Sequence, residues 1–414
     1  MRLLYDLGIF LYGALLRLLA PFHAKAKLWV DGRKDIFKHI EQTVEPSQKY
    51  IWFHFASLGE FEQGRSVMEQ IKQHYPSEKI IVTFFSPSGY EIRKNTPLAD
   101  HVFYLPEDTA SNARRLLDLI QPKFAVFTKY EYWYHYFREL RKRKIRLLMI
   151  SAIFREEQLF FKNYGGFYRS ILKDVSFFFT QNTESVNMLK WIGITNAGLA
   201  GDTRFDRVVE LPKQHRDIPA VQQFVGQHPT LVAGSTWPAD EELLHALLAK
   251  QTDWKVVIAP HEIHAEHIQQ LKRLFPDALL YSAFSSYTTT QIVEASVLLI
   301  DNIGMLSSLY HYGRIAYIGG GFGAGIHNTL EAATYGMPVI FGPKHEKFQE
   351  ALDLIELGAG FSISTAQELE DVFHALQDSG KVRIASDAAK RYVQQRSGAT
   401  QIVMKYITTE KLLG

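Results

Sequence analysis

The sequence contains no cysteine. This absence excludes disulfide bonds, thiolate metal ligands and a cysteine nucleophile, and it suits a reducing compartment. Neither sign of charge is in excess: 46 Lys and Arg residues stand against 44 Asp and Glu residues, a net charge of +2. A dedicated nucleic-acid binder carries a stronger basic bias, so no nucleic-acid partner is predicted. The chain also lacks internal repeats and low-complexity tracts.

What is present indicates a large globular protein. At 414 residues the chain is longer than a domain with a single hydrophobic core usually is, so two domains are expected. Hydrophobic residues make up 46% and charged residues 22%, which is typical of folded rather than disordered chains. Aromatic residues reach 13%, with 28 Phe and 20 Tyr. They either fill two cores or line an apolar binding surface.

The most apolar stretch is the N-terminal segment from Leu3 to Phe22. Charged residues interrupt it, which argues against a signal peptide or a clean membrane span. On a helix, one narrow stripe collects Arg2, Asp6, Gly13 and Arg17, and apolar residues cover most of the remaining circumference. A basic flank follows, formed by Lys25, Lys27, Arg33 and Lys34. We predict that residues 1–24 form a helix in a membrane interface, on the cytoplasmic side because of this flank. The alternative is a buried first helix of the N-terminal domain.

Residues 25–205 alternate short β-rich runs with amphipathic helical stretches. This alternation predicts an α/β domain with a doubly wound parallel sheet. The predicted strands are Tyr50–Phe55, Ile80–Phe84, Val102–Tyr104, Phe124–Phe127, Arg146–Ser151 and Phe177–Gln181. The predicted helices include Phe61–Tyr75, Asn112–Ile120 and Tyr134–Lys144.

The alternation stops in residues 206–229, where prolines in a polar, charged stretch indicate a linker. It restarts over residues 230–395, and residues 396–414 are predicted as a C-terminal helix that returns to the first domain. A ligand is expected in the cleft between two such domains. The predicted strands here are Thr230–Ala233, Lys255–Ala259, Ala278–Tyr281, Val297–Ile300, Ile315–Ile318 and Pro338–Phe341. The predicted helices include Ala239–Lys250, Ala265–Leu274 and Asn328–Tyr335.

The strongest local signal is the segment Ile315–Pro343. A predicted strand runs into seven residues of which five are glycine, and a helix is expected to open at His327. Glycine lets backbone amides approach a phosphate, and a helix N-terminus favours the anion. Glu331, one turn into that helix, is placed to accept the hydroxyls of a ribose. Gly319–Ala324 also matches the dinucleotide pattern G-x-G-x-x-G/A, but no acidic residue ends the next strand, which disfavours an NAD-dependent dehydrogenase.

Several motifs, in order along nearly the whole chain, resemble those of the Kdo transferases. These enzymes attach 3-deoxy-D-manno-octulosonic acid (Kdo) from CMP-Kdo to a lipid A precursor. The glycine-rich turn is followed by His327, Asn328, Leu330 and Glu331, similar to the family's His-Asn-x-Leu-Glu. Other matches are Ser57–Glu60 to Ser-x-Gly-Glu, Glu131 with Trp133 to Glu-x-Trp, and Gly201–Asp206 to Gly-Asp/Asn-x-Lys/Arg-Phe-Asp.

The resemblance implies a GT-B fold, in which two Rossmann-like domains face a central cleft. The N-terminal domain would bind the acceptor and the C-terminal domain the nucleotide sugar. The resemblance implies that Glu60 is the general base and that Glu131 is a second catalytic carboxylate. It implies substrate contacts from Ser57, Gly59, Ser235, Thr236, Pro260, His261, Asp301, Gly304, Gly320, Gly321, His327, Asn328 and Glu331.

The implied reaction is an inverting displacement in which CMP leaves. The implied partners are CMP-Kdo, a lipid A precursor of the lipid IVA type and the membrane surface. The implied location is the cytoplasmic face of the inner membrane of a Gram-negative bacterium, and no cofactor is expected.

Several positions depart from the family pattern and predict a divergent branch, among them Lys129, Tyr134 and Ser151–Arg155. Trp237 stands where the family usually has His after Gly-Ser-Thr. His261 replaces the usual Arg after Ala-Pro, which gives a weaker and titratable cation toward a phosphate. Met305 replaces an acidic residue in the Asp-x-x-Gly segment.

The position of Glu60 supports a role as base independently of the resemblance. It follows the predicted strand Tyr50–Phe55 after a short turn, on the crevice side of an open α/β sheet. A carboxylate there can take the proton from an acceptor hydroxyl as that hydroxyl attacks the anomeric carbon. The alternative on position alone is an acidic residue that stabilises a helix N-terminus. For Glu131 the alternative is a polar residue in an aromatic loop, Tyr130–Phe137, which suits acyl chains, a sugar face or packing on the core.

No metal site is predicted. The chain lacks the Asp-x-Asp pair with which metal-dependent nucleotide-sugar transferases often hold a divalent ion. The glycine-rich turn and helix dipoles are then left to neutralise the leaving phosphate. His261, His264 and His267 recur at a helical spacing, but Glu262 and Glu266 would point to another face. We interpret the histidines as a solvated helix face or a phosphate contact.

Two alternatives to Kdo transfer stay open. One is a GT-B transferase or epimerase that uses a UDP-sugar. The other is a non-catalytic, membrane-bound GT-B scaffold.

Overall fold

The computed structural model describes residues 1–250 and 253–413. It divides into two compact units, Met1–Arg207 with the chain from Ser397 onward, and Val208–Arg396. Each unit is built on one seven-stranded sheet whose described strand pairs are all parallel. The predicted α/β class with two doubly wound sheets is therefore confirmed.

In the first unit the six predicted strands lie within two residues of their expected positions, and a short seventh strand was not predicted. Its three residues are too few to show an alternating pattern. The strands are β1 Tyr50–Phe55, β2 Lys79–Phe84, β3 His101–Tyr104, β4 Pro122–Thr128, β5 Arg146–Ala152, β6 Phe177–Thr180 and β7 Ala197–Leu199. Their order across the sheet is β3-β2-β1-β4-β5-β6-β7. The apolar strand β1 is buried along its whole length at the centre of this sheet.

The helices of the first unit cover its sheet. The fourth begins three residues before the predicted start at Phe61, which places Glu60 in its first turn. The helices are α1 Arg2–Leu19, α2 Ala24–Asp31, α3 Ile36–Thr43, α4 Leu58–His74, α5 Pro87–Arg93, α6 Ala110–Ile120, α7 Tyr134–Lys142, α8 Gly166–Leu172, α9 Thr183–Trp191 and α10 Arg204–Glu210.

The second unit follows the same pattern, with its strands in the order β10-β11-β9-β8-β12-β13-β14. The strands are β8 Thr230–Thr236, β9 Lys255–Pro260, β10 Leu279–Leu280, β11 Val297–Leu299, β12 Ile315–Ile318, β13 Val339–Phe341 and β14 Gly360–Ser362. The remaining helices of the chain are α11 Pro219–Val225, α12 Pro238–Leu248, α13 Ala265–Leu274, α14 Thr289–Glu294, α15 Leu306–Leu309, α16 Leu330–Ala333, α17 Gln349–Glu356, α18 Ala366–Ala375, α19 Ser379–Gln395 and α20 Ala399–Thr409.

The stretch expected to be a linker, residues 206–229, contains the end of α10 and all of α11. The boundary between the two units falls inside α10, after Arg207.

The last helix, α20, is part of the first unit, and Asp206 holds it there. One carboxylate oxygen of Asp206 accepts hydrogen bonds from the backbone N–H and the hydroxyl of Thr400, both at 2.7 Å. The other oxygen accepts from the backbone N–H of Gly398. The hydroxyl of Thr400 also lies 2.8 Å from that of Ser66 in α4. Asp206 thus satisfies backbone donors at the start of α20, as a capping carboxylate does.

Helix α1 turns its polar stripe toward the domain. The Tyr5 hydroxyl donates to Asp108 at 2.5 Å, and Asp6 lies 2.6 Å from Nε2 of His135. Gly13 is the buried residue of this helix, so the alternative of a buried first helix is wrong. Large apolar side chains stay exposed, namely Leu3, Leu4, Leu7, Phe10, Leu11, Leu15 and Leu18.

The basic flank after α1 is smaller than the sequence indicated. The guanidinium of Arg33 donates to the carbonyls of Leu105 and Phe85, both at 2.8 Å, and lies 4.0 Å from the centre of the Trp29 ring. Burial lowers the pKa of Arg33 to about 9. Arg33 is therefore an internal cation, and the exposed basic residues near α1 are Lys25, Lys27 and Lys34.

No single described helix is long and apolar enough to cross a membrane. Helices α1 and α2 meet the length and composition of a span only as a pair, and they are bent by 118° relative to each other.

Candidate active site

The strand order of the first sheet reverses between β1 and β4, which are direct neighbours. In doubly wound sheets, ligands bind beyond the carboxyl ends of the strands at such a reversal. Glu60 follows the carboxyl end of β1, and Glu131 follows that of β4. The structure therefore brings the two predicted catalytic carboxylates to adjacent strand ends.

Glu60 sits in a strongly perturbed environment. Burial, followed by the negative charge of Glu131, raises its pKa to about 8. The backbone N–H of Ala56 donates to its carboxylate at 2.5 Å and opposes this shift, as does the charge of Lys129. A carboxyl group with such a pKa exchanges its proton close to neutral pH, which suits a general base.

The predicted contacts Ser57 and Gly59 lie at the start of α4, close in sequence to Glu60. Ser57 is the residue that precedes α4, and its side chain does not cap the helix. Gly59 is exposed, and a Cβ added there would meet only the hydroxyl of Ser57, at 4.0 Å. The start of α4 therefore leaves open space next to Glu60.

Glu131 is held by two ring nitrogens. Its Oε2 accepts from Nε1 of Trp133 at 2.9 Å and lies 3.1 Å from Nε2 of His54, which is fully buried in β1. Nδ1 of His54 lies 2.9 Å from the hydroxyl of Thr83 in β2. Nε1 of Trp52 donates to the same hydroxyl at 2.8 Å.

These contacts join several side chains around Oε2 of Glu131. Nε1 of Trp133 also lies 3.3 Å from Nε2 of His54, and the hydroxyl of Thr83 can donate to Nδ1 of His54 or accept from it. The hydroxyl of Thr83 can donate to His54 while it accepts from Trp52. His54 is thus the buried link in a chain of polar contacts that runs from Trp52 through Thr83 to Glu131. We did not single out His54 and Thr83 from the sequence, although a histidine in the otherwise apolar strand Tyr50–Phe55 is the signal that marks such a site.

The second sheet reverses its strand order between β8 and β12. Ser235 lies near the end of β8, and the glycine-rich turn follows β12. Ser235 has a left-handed backbone (φ +55°) next to a bulge in β8. Non-glycine residues rarely adopt this conformation, and strained backbone of this kind recurs at functional sites. A Cβ on Gly319 would lie 2.2 Å from the carbonyl oxygen of Ser235, so glycine is required where the two loops touch.

Asp240, another residue not predicted, ties the glycine-rich turn to the start of α12. Its Oδ2 accepts from the backbone N–H groups of Gly320 and Trp237, both at 2.9 Å. Its Oδ1 accepts from the hydroxyl of Tyr317 at 2.8 Å. Burial raises the pKa of Asp240, and these hydrogen bonds oppose the increase.

Several glycines of the glycine-rich turn are needed because the turn packs closely against other loops of the protein. A Cβ on Gly321 would lie 2.5 Å from the Cα of Gly342. Gly320 and Gly325 have φ values of +92° and +135°, which favour glycine. These glycines are therefore required by the turn itself, and their contact with a phosphate stays a prediction.

The predicted helix Asn328–Tyr335 is wrong in its bounds, because α16 covers only Leu330–Ala333. Glu331 consequently lies in the first turn, and a four-residue helix offers little dipole. Asn328 organises this segment: its Oδ1 accepts from the backbone N–H of Leu330, and its Nδ2 donates to Glu331, both at 3.1 Å.

Three aromatic rings stack beyond the carboxyl ends of the strands of the second sheet. They belong to Trp237, His261 and His327. The ring of His261 lies 4.3 Å from that of His327 and 4.8 Å from that of Trp237, with interplanar angles of 26° and 27°. Nε1 of Trp237 donates to Nε2 of His327 at 3.1 Å. Burial and the nearby His261 lower the pKa of His327 to about 4, so this ring is neutral at physiological pH. Two of the positions that depart from the family pattern therefore contact a residue of its central motif.

The histidines at 261, 264 and 267 do not share one helix face. Helix α13 begins at Ala265, and His264 is the residue that caps it. The expectation that Glu262 points away from the histidines is wrong, because its Oε2 lies 3.1 Å from Nε2 of His264. Within the described residues no group of three His, Asp or Glu side chains is arranged to hold a metal ion.

Other predicted contacts lie in supporting positions. The hydroxyl of Thr236 is buried and donates to Glu241 at 2.9 Å, and Glu241 in turn lies 2.9 Å from Nε2 of the buried His267. Pro260 ends β9.

The pair Asp301 and Gly304 follows β11, which β9 separates from β8, so these two residues are further along the sheet edge than the glycine-rich turn. The carboxylate of Asp301 accepts from the backbone N–H of Ser282 at 2.8 Å and from its hydroxyl. Gly304 has φ +91° and is exposed.

Comparison with known proteins shows which sequences and structures this chain resembles. Residues 32–207 match the family model of the 3-deoxy-D-manno-octulosonic-acid transferases. The 3-deoxy-D-manno-octulosonic acid transferase of Rickettsia bellii is 25% identical, over 80% of this chain and 80% of its own length. The enzyme of the same name from Haemophilus influenzae is 27% identical, over 86% of each chain.

The fold itself is shared with other proteins of known structure. UDP-GlcNAc 2-epimerase from Neisseria meningitidis superposes with a TM-score of 0.62 at 15% identity, covering 87% of this chain and 100% of that one. MurG from Acinetobacter baumannii gives a TM-score of 0.56 at 11% identity, with the same coverage. At these identities the likeness shows the fold alone. The chain therefore has a GT-B fold, and its sequence is similar to those of Kdo transferases over most of its length.

Proposed function

We propose that this protein transfers Kdo from CMP-Kdo to a lipid A precursor of the lipid IVA type, with inversion at the anomeric carbon. The observation that carries the proposal is the pair Glu60 and Glu131 at the strand-order reversal of a domain that matches the Kdo transferases. The pKa of Glu60, raised to about 8, supports its role as general base.

In the proposed reaction, Glu60 accepts the proton of an acceptor hydroxyl. The oxygen of that hydroxyl forms a bond to the anomeric carbon of Kdo, and the bond from this carbon to the phosphate oxygen breaks. CMP leaves with the electron pair, and the proton stays on Glu60. Glu131, held by His54 and Trp133, keeps a negative charge near Glu60 and thereby raises the affinity of Glu60 for that proton.

In the second domain, the proposed donor contacts are His327, Asn328 and Glu331. Asn328 and Glu331 are joined by a hydrogen bond, and the Glu331 carboxylate is of the type that accepts ribose hydroxyls. CMP carries one phosphate group, so the loop has less charge to neutralise than with a nucleoside diphosphate.

A lipid acceptor is supported by the apolar surface around α1. A cavity of about 390 Å³ lies between α1, α2 and the domain, and Ile9, Tyr12, Trp29, Phe85 and Trp133 line it. Trp133 also donates to Glu131. An acyl chain in this cavity would lie one side chain away from a catalytic carboxylate.

Association with the cytoplasmic face of the inner membrane is part of the same proposal. The polar stripe of α1 contacts the domain, for example through the 2.8 Å ion pair between Arg17 and Glu107. The outward face of α1 is apolar, and exposed Lys25 and Lys27 follow it. An apolar helix face beside lysines is typical of interfacial helices on anionic membranes.

The proposal is tested by incubating the protein with CMP-Kdo, generated in situ, and a tetra-acylated lipid A precursor. We expect a mass gain of one or more Kdo units in the product, abolished by Glu60→Gln with CMP binding retained. The exposed Glu156→Gln is the matched control and should transfer normally. Near-normal turnover of Glu60→Gln would overturn the role of Glu60. Tight binding of UDP without binding of CMP would instead support an enzyme that uses a UDP-sugar.

A further inference from the structure

Trp237 and His327 meet through a hydrogen bond whose chemistry permits only one arrangement. The indole N–H of Trp237 can donate but cannot accept. Nε2 of His327, 3.1 Å away, must therefore accept and carry no proton. A neutral imidazole with a bare Nε2 carries its proton on Nδ1.

The surroundings of the ring reinforce this arrangement. The Cδ2–Nε2 edge of His327 faces the turn, since a Cβ on Gly320 would lie 2.9 Å from Cδ2 and 3.2 Å from Nε2. His261 stacks on one face of the ring. The other nitrogen, Nδ1, has no protein acceptor within residues 1–250 and 253–413. His327 is only partly buried, so the Nδ1–H is open to a ligand.

We infer that Trp237 is a positioning residue that fixes His327 as a neutral donor, with its Nδ1–H directed at an anionic oxygen of the nucleotide-sugar donor. This inference rests on the proposed function for the identity of the ligand, but not for the state of the ring. The adjacent stack with His261 restricts the orientation of the imidazole, so the hydrogen bond and the stack together determine where that N–H points. In this chain the indole of Trp237 therefore orients His327. Trp237 is one of the residues by which this chain departs from the family pattern.

The sharpest test is ¹⁵N and ¹³C NMR of His327 in the full-length protein with and without Trp237→Phe. The variant keeps an aromatic ring for the stack and removes the N–H. We expect the wild type to show Nδ1–H with a bare Nε2, and the variant to shift toward the Nε2–H tautomer. Binding of CMP, measured by titration calorimetry, should weaken by about 10-fold in the variant, as for one lost hydrogen bond to a charged group. Trp254→Phe, in the same domain and packed against Phe373, is the matched control and should change neither readout.

The outcomes separate the two proposals. A wild-type His327 that carries its proton on Nε2, or a variant with unchanged tautomer and unchanged CMP affinity, would overturn the inference about Trp237. The expected tautomers without any binding of CMP would leave the positioning role in place and contradict the proposed donor instead.

Discussion

Nε2 of His54, buried in the central strand of the first sheet, lies 3.1 Å from Oε2 of Glu131. His54 has no access to solvent, so its influence reaches the candidate site through the side chains that it contacts there, Glu131 and Trp133. The hydroxyl of Thr83 fixes the other ring nitrogen of His54, at 2.9 Å. A histidine restrained on both sides keeps a carboxylate in one orientation, as an acid–base site requires.

We expect Thr83→Val to impair both stability and transfer. The substitution keeps the shape of the side chain but leaves Nε1 of Trp52 and Nδ1 of His54 buried without partners. Such a loss costs about 1–3 kcal/mol in the free energy of unfolding of the protein. The rate of Kdo transfer should fall by about 10-fold, the scale of one displaced supporting contact, and it is measured under single-turnover conditions.

Thr128→Val is the matched control for this variant. The Thr128 hydroxyl is buried at the end of β4 and has no hydrogen-bond partner within the part of the chain that the structure describes. Its removal should leave stability unchanged or slightly increased, because no bond is lost. Equal effects of the two substitutions would contradict a chain of hydrogen bonds from Trp52 to Glu131.

The rate of transfer should rise with pH and level off above about 8. Glu60 has a pKa raised from its ordinary value to about 8, so its base form accumulates only as pH increases through that value. Glu131→Gln removes a negative charge that contributes to this shift, so the rising limb should move to lower pH. The pH dependence of kcat/KM for both proteins measures this effect, and identical rising limbs would show that Glu131 does not act on Glu60.

Glu60→Gln should stabilise the protein in alkaline solution. Because the folded-state pKa of Glu60 is raised, unfolding releases a proton between about pH 4 and pH 8, and the contribution of this group to stability falls across that window. Glutamine does not ionise. The Tm of the variant at pH 9 should exceed that of the wild type by at least about 2–4 °C, and the two should converge near pH 4. Thermal unfolding at both pH values measures the difference, and a variant that is less stable at pH 9 would contradict the burial of an ionisable Glu60.

Two glycines of the same turn should respond differently to alanine. Gly321→Ala places a Cβ 2.5 Å from the backbone of Gly342, whereas Gly323→Ala meets nothing closer than 3.6 Å. We expect the first change to cost about 1–3 kcal/mol of stability through overpacking and the second to be tolerated. Urea unfolding, together with CMP affinity, distinguishes them. Comparable losses from both variants would indicate that the turn tolerates no side chain for reasons other than its contact with Gly342.

The exposed face of α1 should be required for binding to membranes. Leu3, Phe10 and Leu18 are 82%, 67% and 73% exposed. Replacing all three with Asn should reduce co-sedimentation with anionic phospholipid vesicles by at least about 10-fold, since each large apolar side chain contributes on the order of 1 kcal/mol when it leaves water. The comparison is a variant with Asn at Trp191 and Ile303, which are 72% and 85% exposed outside α1. Vesicle binding that depends equally on the two sets would refute a specific role for α1.

The sequence predicted the parts of this protein that local patterns encode. Strands such as Tyr50–Phe55 and Ile315–Ile318 were placed correctly because continuous apolar runs bounded by turns are typical of buried parallel strands. The ends of elements were less accurate. Residues 328–335 contain helix-forming residues, yet only Leu330–Ala333 are helical. Oδ1 of Asn328 accepts from the backbone N–H of Leu330 before the helix, and Gly336 turns the chain after it with φ +75°.

By itself, then, the sequence determined the α/β class, the strand positions and the two acidic residues that follow β1 and β4, since each of these depends on residues close together in the chain. Only the tertiary structure decided which strand ends are neighbours, that the polar stripe of α1 faces inward, and that His54 supports Glu131 while Trp237 orients His327. His54 and Glu131 are 77 positions apart, and Trp237 and His327 are 90 positions apart. The physical reason is that periodicity is a local property, whereas strand order and side-chain pairing depend on contacts between distant segments that form only when the sheets assemble.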